Sequence, residues 1–187
     1  MRKKADSRSI VSKVRSLHKA YIRRFSPLKY AQKAGVNMGG VHIYGNVGWS
    51  TEPWIITLGD NVHITDGVKF ITHDGGTLLF RNRVPDLEIT KPIVVGDNVY
   101  IGNDVIILPG VTIGSIVVIG AGAVVSRDIP DNSVVVGVHA RVIKTADEYF
   151  EKLQKESLHL GHLKSQEKDR ALMKCYGYKG NSKGIYF

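Results

Sequence analysis

Between Val95 and Pro130 the apolar positions return every six residues. The blocks VGDNVY, IGNDVI, ILPGVT, IGSIVV, IGAGAV and VSRDIP follow without a gap, opening on Val95, Ile101, Ile107, Ile113, Ile119 and Val125. The fifth place of each is apolar too: Val99, Val105, Val111, Val117, Ala123 and Ile129. Gly holds the second place four times, at Gly96, Gly102, Gly114 and Gly120. The same frame opens earlier at Leu58 (LGDNVH), Ile64 (ITDGVK) and Phe70 (FITHDG). A strict period marks a stacked repeat. Six fits neither the alternation of a strand nor the 3.6 residues of a helical turn. It predicts an all-β solenoid, a coil with flat sides in which each side is a short strand ending in a tight corner. The aliphatic openers point inward. Gly, Asn and Asp at the corners tolerate positive φ.

The flanks follow other rules. In residues 1–40, Ile10, Val14, Leu17 and Tyr21 fall on one face of a helix. Ser7 or Ser9 is placed to cap it, and Pro27 to break it. The repeat domain spans 41–145. Its first coil, 41–57, is irregular, with a slip near Ser50–Trp54. The stretch Gly76–Pro92 cannot be divided into sixes and reads as a polar insertion projecting outward. Long loops on a rigid scaffold commonly carry function. Residues 146–187 are polar, with Tyr149, Phe150, Leu153, Leu158 and Leu163 interspersed, and read as a helical tail capping the solenoid.

Charge alters this picture in one place. The net charge is +9, but residues 1–34 hold 11 Lys/Arg against Asp6 alone, and the remainder sums to −1. Three readings of this basic arm stand open. It packs its apolar face on the end of the solenoid, it lies on an anionic membrane surface, or it binds nucleic acid, for which no motif is present. The single cysteine, Cys175, suits a reducing cytoplasm and is expected to be buried or inert. No apolar run reaches the roughly 18 residues of a membrane-spanning helix.

His73 is the candidate for chemistry. It stands in THDGG where the repeat is interrupted, beside Asp74 and two glycines that allow close approach of a ligand. Glu52 and Asp74 are the carboxylates available to orient it. Asp74 also suits a plain corner role, and Glu52 an acceptor-binding one. His63 is expected to be a surface residue. The sequence has no GxSxG nucleophile motif, so direct transfer is simpler than a covalent intermediate.

The run KPIVVGDNVYIGNDVIILPGVTIG (Lys91–Gly114), followed by IGAGAVVSRDIP and GVHARVIK, resembles the hexapeptide-repeat acyltransferases of the maltose, galactoside and polysaccharide O-acetyltransferase type. The likeness covers about Val41 to Lys144. It implies a left-handed parallel β-helix of three hexapeptides per coil, a homotrimer with sites between subunits, and acetyl-CoA as acyl donor. It also implies a sugar or glycan hydroxyl as acceptor, with His73 as general base, and a backbone N–H near Gly102–Asn103 as oxyanion donor. Carried over by motif, Tyr100, Asn103, Ala121, Ser126, Arg127, Arg141 and Lys144 meet coenzyme A, the last three basic residues at its phosphates. Two departures are Tyr100 for a usual Trp and His139 for a usual Pro.

Three alternatives are weighed against this. N-acetylation of an amino or nucleotide sugar uses the same machinery. A zinc carbonic anhydrase on the same fold needs three histidine ligands, and His42, His63 and His73 are scattered along the sequence. A non-catalytic scaffold leaves THDGG, the loop and VSRD without purpose.

Overall fold

A computed structural model describes residues 7–178. The chain divides into two units, Met1–Asp147 and Glu148–Phe187.

The first unit opens with helix α1 (Ser7–Phe25) and helix α2 (Pro27–Ala34). Pro27 stands at the first turn of α2, so the break falls where its ring requires it. Ser9 lies inside α1 and not at its start. Gly35 ends α2 at φ +97°, a left-handed cap that returns its N–H to the last turn.

Three sheets follow, parallel throughout except for one antiparallel pair at the end of the second. The first contains β1 (Asn37–Met38), β3 (Ile56–Leu58), β6 (Ile93–Val95) and β9 (Thr112–Ile113). The second contains β2 (Val41–Ile43), β4 (Val62–Ile64), β7 (Val99–Ile101), β10 (Val117–Ile119), β12 (Ser133–Val136) and β13 (Arg141–Thr145). The third contains β5 (Lys69–Phe70), β8 (Ile106–Ile107) and β11 (Val124–Val125). From β3 to β11 the chain visits the first, second and third sheets in rotation. Every circuit adds one strand to each, which is a three-sided coil.

The register gives the pitch. Val94 pairs with Thr112, Val99 with Val117, and Ile106 with Val124, each 18 positions on, or three hexapeptides. Lys69 pairs with Ile106, 37 positions on, because the loop after Phe70 intervenes. Val41 pairs with Val62, 21 positions on, and the surplus is taken up by a 3₁₀ turn at Pro53–Ile55.

All nine block openers, from Leu58 to Val125, are buried, and so are the fifth-place residues of the six continuous blocks. The core is a column of Ile and Val with Phe70 and Trp49 stacked at 5.0 Å in its first coils. The second-place glycines are forced by the next coil. A Cβ at Gly102 would lie 2.6 Å from the Ala121 nitrogen and 2.8 Å from the Ile119 carbonyl oxygen.

One corner carries a ladder of side-chain acceptors. Gly40 N–H donates to Asp60 Oδ1 (2.7 Å), Asp60 N–H to Asp97 Oδ1 (2.7 Å), Asp97 N–H to Ser115 Oγ (3.0 Å) and Ser115 N–H to Asp131 Oδ1 (2.7 Å). The next residue in each coil is left-handed: Asn61, Asn98, Ile116 and Asn132, at φ 54–59°. Asn tolerates this region. A β-branched Ile does so only under strain.

The last stretch folds back on itself. Ser133–Val136 and Arg141–Thr145 form an antiparallel hairpin, and Val138 bridges to Val124 on the third sheet. In the second unit, α3 (Ser165–Cys175) has no buried residue, and of the two expectations for Cys175, buried or inert, burial does not hold, since its thiol is exposed.

The apolar stripe of α1 removes the first of the three readings of the basic arm. It does not pack on the coil, because Val14, Leu17, Tyr21 and Phe25 are 59–72% exposed.

Candidate active site

The slip in the first coil and the break in the second meet at one place. The slip carries Ser50, Thr51 and Glu52 alongside Thr72 and His73 of the following coil. The Glu52 carboxylate is the hub. Its Oε2 lies 2.9 Å from His73 Nδ1 and accepts from Thr72 Oγ1 at 2.6 Å. Its Oε1 accepts from Thr51 Oγ1 at 2.5 Å. Thr51 Oγ1 is itself 3.2 Å from His73 Nδ1. These bonds, from Thr51 first and then Thr72 and His73, lower the Glu52 pKa from 4.5 to about 2, against a smaller opposing effect of burial.

An ionised carboxylate only accepts, so the proton on His73 Nδ1 points at Glu52. Thr51 has one hydroxyl proton and gives it to Glu52, so its oxygen accepts from Nδ1. Thr72 likewise gives its proton to Glu52. Ser50 Oγ, 2.7 Å from Thr72 Oγ1, is then the donor of that pair and accepts from Thr72 N–H at 3.3 Å. Thr72 is fully buried, which makes this polar nest costly to leave unpaired. With Nδ1 occupied, His73 Nε2 is the basic nitrogen, and it has no hydrogen-bond partner among the described residues. The side chains of His73 and Glu52 are 37% and 26% exposed, so the ring is reachable by a ligand.

Asp74 does not orient the ring. Its Oδ1 accepts from Gly76 N–H (2.8 Å) and caps the 3₁₀ turn Gly75–Phe80 that begins the loop. The corner reading of Asp74 is the one the geometry takes. The loop is also not purely polar, since Leu78, Leu79, Phe80 and Val84 are exposed along it. Its return is tied down beside His73, where Asp74 N–H donates to Ile89 O (2.9 Å) and Lys91 N–H to Thr72 O (2.8 Å).

The residues assigned to coenzyme A are spread around the coil. Tyr100 is exposed on the second sheet, in register with His63. Asn103 and Ala121 stack at the next corner, where Gly122 N–H donates to Asn103 O at 2.7 Å. Ser126 and Arg127 follow β11, and Ser126 Oγ lies 3.3 Å from His139 Nδ1. Arg141 and Lys144 lie on β13, opposite Val136 and Val134. Arg127 therefore arises on a different side from Arg141 and Lys144. Gly102 N–H is spent on Ile119 O (2.9 Å), which leaves Asn103 N–H as the oxyanion candidate of that pair.

His42 and His63 are not scattered. Their rings stack at 4.6 Å on the second sheet, a different side of the coil from His73. His63 is half-buried, with Nδ1 2.8 Å from Tyr44 Oη and Nε2 2.9 Å from Asn61 Oδ1. Burial first, and the neighbouring His42 second, lower its pKa.

Sequence reasoning missed Ser50, Thr51 and Thr72. The available signal was three hydroxyl residues adjoining the two candidates, in Ser50–Thr51–Glu52 and Thr72–His73.

Residues 92–127 match the family described as bacterial transferase hexapeptide (six repeats). Over 140 residues the chain is 44% identical to protein CapG of Staphylococcus aureus, covering 73% of this chain and 81% of that protein. It is 35% identical over 137 residues to the galactoside O-acetyltransferase of Escherichia coli K12, covering 70% of this chain and 66% of that one. The fold superimposes on a galactoside acetyltransferase solved in complex with coenzyme A, with a TM-score of 0.55 at 27% identity over 82% of this chain and 87% of that one. The period of six, the three-sided coil and these relatives agree, and the chain belongs to the hexapeptide-repeat acetyltransferase family.

Proposed function

We propose that this acetyltransferase moves the acetyl group of acetyl-CoA to a hydroxyl of a sugar or polysaccharide precursor, with His73 as general base. The observation that carries this reading is the Glu52–His73 pair. An ionised carboxylate fixes the proton on Nδ1 and leaves Nε2 basic, at the foot of a loop that leaves the coil.

In the transfer, Nε2 takes the hydroxyl proton as the acceptor oxygen attacks the thioester carbonyl carbon. Glu52 stabilises the imidazolium that forms, much as a buried carboxylate does in serine hydrolases. Asn103 N–H is the donor for the developing oxyanion. As the C–S bond breaks, the imidazolium returns its proton to the departing thiolate. The products are the acetyl ester and coenzyme A. Tyr100, Asn103, Ala121 and Ser126 are assigned to the pantetheine. Arg127, Arg141 and Lys144 offer fixed positive charge to the phosphates.

Resemblance to the family supports a left-handed coil and a trimer with each site between two subunits. In that assembly the loop Gly76–Pro92 reaches a neighbour, which gives its exposed Leu78, Leu79 and Phe80 something to cover. Among the described residues no helix is long and apolar enough to cross a membrane. An exposed single thiol at Cys175 suits a cytoplasmic location.

The test is thiol release from acetyl-CoA against a panel of sugars, amino sugars and nucleotide sugars, for wild type and His73→Asn. Turnover on a hydroxyl acceptor that falls by roughly 10²–10⁴ in the variant supports the reading. Turnover confined to amines moves the chain to N-acetylation. Unchanged turnover in the folded variant removes His73 from the mechanism.

A further inference from the structure

Helix α1 meets the first coil through Ala20, Ile22, Arg23 and Arg24. Arg23 Nε donates to Asn46 Oδ1 of the first coil at 2.7 Å. Ile22 and Arg23 line a cavity of about 680 Å³ between the two helices and the coil residues Val47–Trp54. Ala20, Arg23 and Arg24 line a second one against Ile43, Tyr44, Asn46 and Asp66. The opposite side bears Val14, Leu17, Tyr21 and Phe25, which at helical spacing fall in an arc of about 80°. They are 59%, 72%, 62% and 67% exposed. Tyr21 and Phe25 pack on each other at 4.8 Å, so the stripe is continuous at its C-terminal end.

The charge of the helix selects what covers this stripe. Its sequence contains Arg8, Lys13, Arg15, Lys19, Arg23 and Arg24 and no Asp or Glu. Lys13 and Arg24 are exposed and border the stripe on one side at helical spacing. The partner must therefore be apolar in its interior and anionic at its surface. A second copy of this chain is a poor match, because residues 35–187 are near neutral, with 15 Lys/Arg against 16 Asp/Glu. RNA satisfies the cations and leaves four large apolar side chains in water. An anionic bilayer satisfies both: the acyl boundary takes the stripe, and the headgroup phosphates take the cations.

We propose that α1 is an interfacial helix that seats the enzyme on an anionic membrane surface, with Val14, Leu17, Tyr21 and Phe25 inserted at the headgroup boundary. This goes beyond the acetyl-transfer reading and stands or falls apart from it, since none of these residues belongs to the Glu52–His73 site. On such a surface the acceptor class this favours is a lipid-linked saccharide.

The experiment is flotation of the full-length protein with vesicles of phosphatidylcholine alone, or of phosphatidylcholine mixed with phosphatidylglycerol. Wild type is expected to float with the mixed vesicles only, and less as salt is raised. Leu17→Glu with Phe25→Glu should lose at least roughly tenfold in partitioning, with an unchanged unfolding midpoint and subunit number. Lys13→Glu with Arg24→Glu should show a comparable loss on the mixed vesicles. The proposal is overturned if wild type floats with neither vesicle or equally with both. It is overturned if the Leu17/Phe25 variant floats like wild type, which leaves charge alone at work. It is also overturned if sedimentation shows that this variant has changed subunit number, which makes the stripe a contact between copies.

Discussion

Glu52 Oε2 lies 2.9 Å from His73 Nδ1, and the two residues come from different coils. The pair is joined by stacking, so the geometry of the proposed base depends on the register of the solenoid. Glu52→Gln replaces an obligate acceptor with an amide that can also donate, and the ring can then reverse its tautomer. We expect kcat to fall roughly 10²-fold or more, with KM for acetyl-CoA unchanged. Glu52→Asp, which keeps the charge, should retain more activity than Glu52→Gln. Steady-state kinetics of both variants check this, and equal rates for the two would remove the tautomer argument.

The same carboxylate leaves a mark on acid stability. Its folded pKa is about 2, below the ordinary value of 4.5, so its contribution is present above 4.5 and lost as pH falls towards 2. Unfolding midpoints measured between pH 5 and 2 should decline less steeply in Glu52→Gln than in wild type. Parallel curves would mean that the unfolded chain holds the carboxylate equally well.

Ile116 occupies the left-handed column that Asn61, Asn98 and Asn132 fill in the other coils. It is half exposed, so little burial is lost on replacement. Ile116→Asn should stabilise the protein by about 1 kcal/mol, the cost of a non-Gly, non-Asn residue in this region. Denaturant unfolding measures it, and a destabilised variant would show that the Ile side chain packs usefully.

Gly102→Ala places a methyl against backbone on both sides, the Ala121 nitrogen and the Ile119 carbonyl. Backbone cannot yield as a flexible side chain does. A loss of about 1–3 kcal/mol is expected, read from the urea midpoint. Activity should fall as well, because Asn103 follows directly.

Arg141 and Lys144 lie on the outer strand of the terminal hairpin. Neutralising both should raise KM for acetyl-CoA at least roughly tenfold with little effect on kcat, since such contacts act alike on ground and transition states. The salt dependence of KM should weaken in the double variant. If neither changes, the phosphates are held elsewhere.

The coil was legible because its rule is local and repeated. An inward Ile or Val at each sixth place, as at Ile101 and Ile119, leaves little freedom in the interior. His73 was legible because it sits where that rule stops. Less legible was whatever depends on two distant segments meeting. That Thr72 and Thr51 both clamp Glu52 follows from the slip at Pro53–Ile55, whose amplitude no periodicity encodes. Asp74 beside His73 in sequence looked as good a partner as Glu52, but its φ and ψ turn it towards Gly76. The stripe of α1 had the spacing of a packed face, and spacing alone does not say which side meets the protein.

The loop leaves the coil after Asp74 and comes home at Ile89 and Lys91, stitched by two main-chain bonds to Asp74 and Thr72, the residues on either side of His73. Those stitches use no side chain of the loop interior. The exposed residues Leu78, Leu79, Phe80 and Val84 can thus be rewritten without loosening the hold on His73, whereas Gly76 and the buried Thr77, both bonded to Asp74, cannot. The exposed face of the loop and the setting of His73 are separable in heredity: one can drift while the other is held fixed.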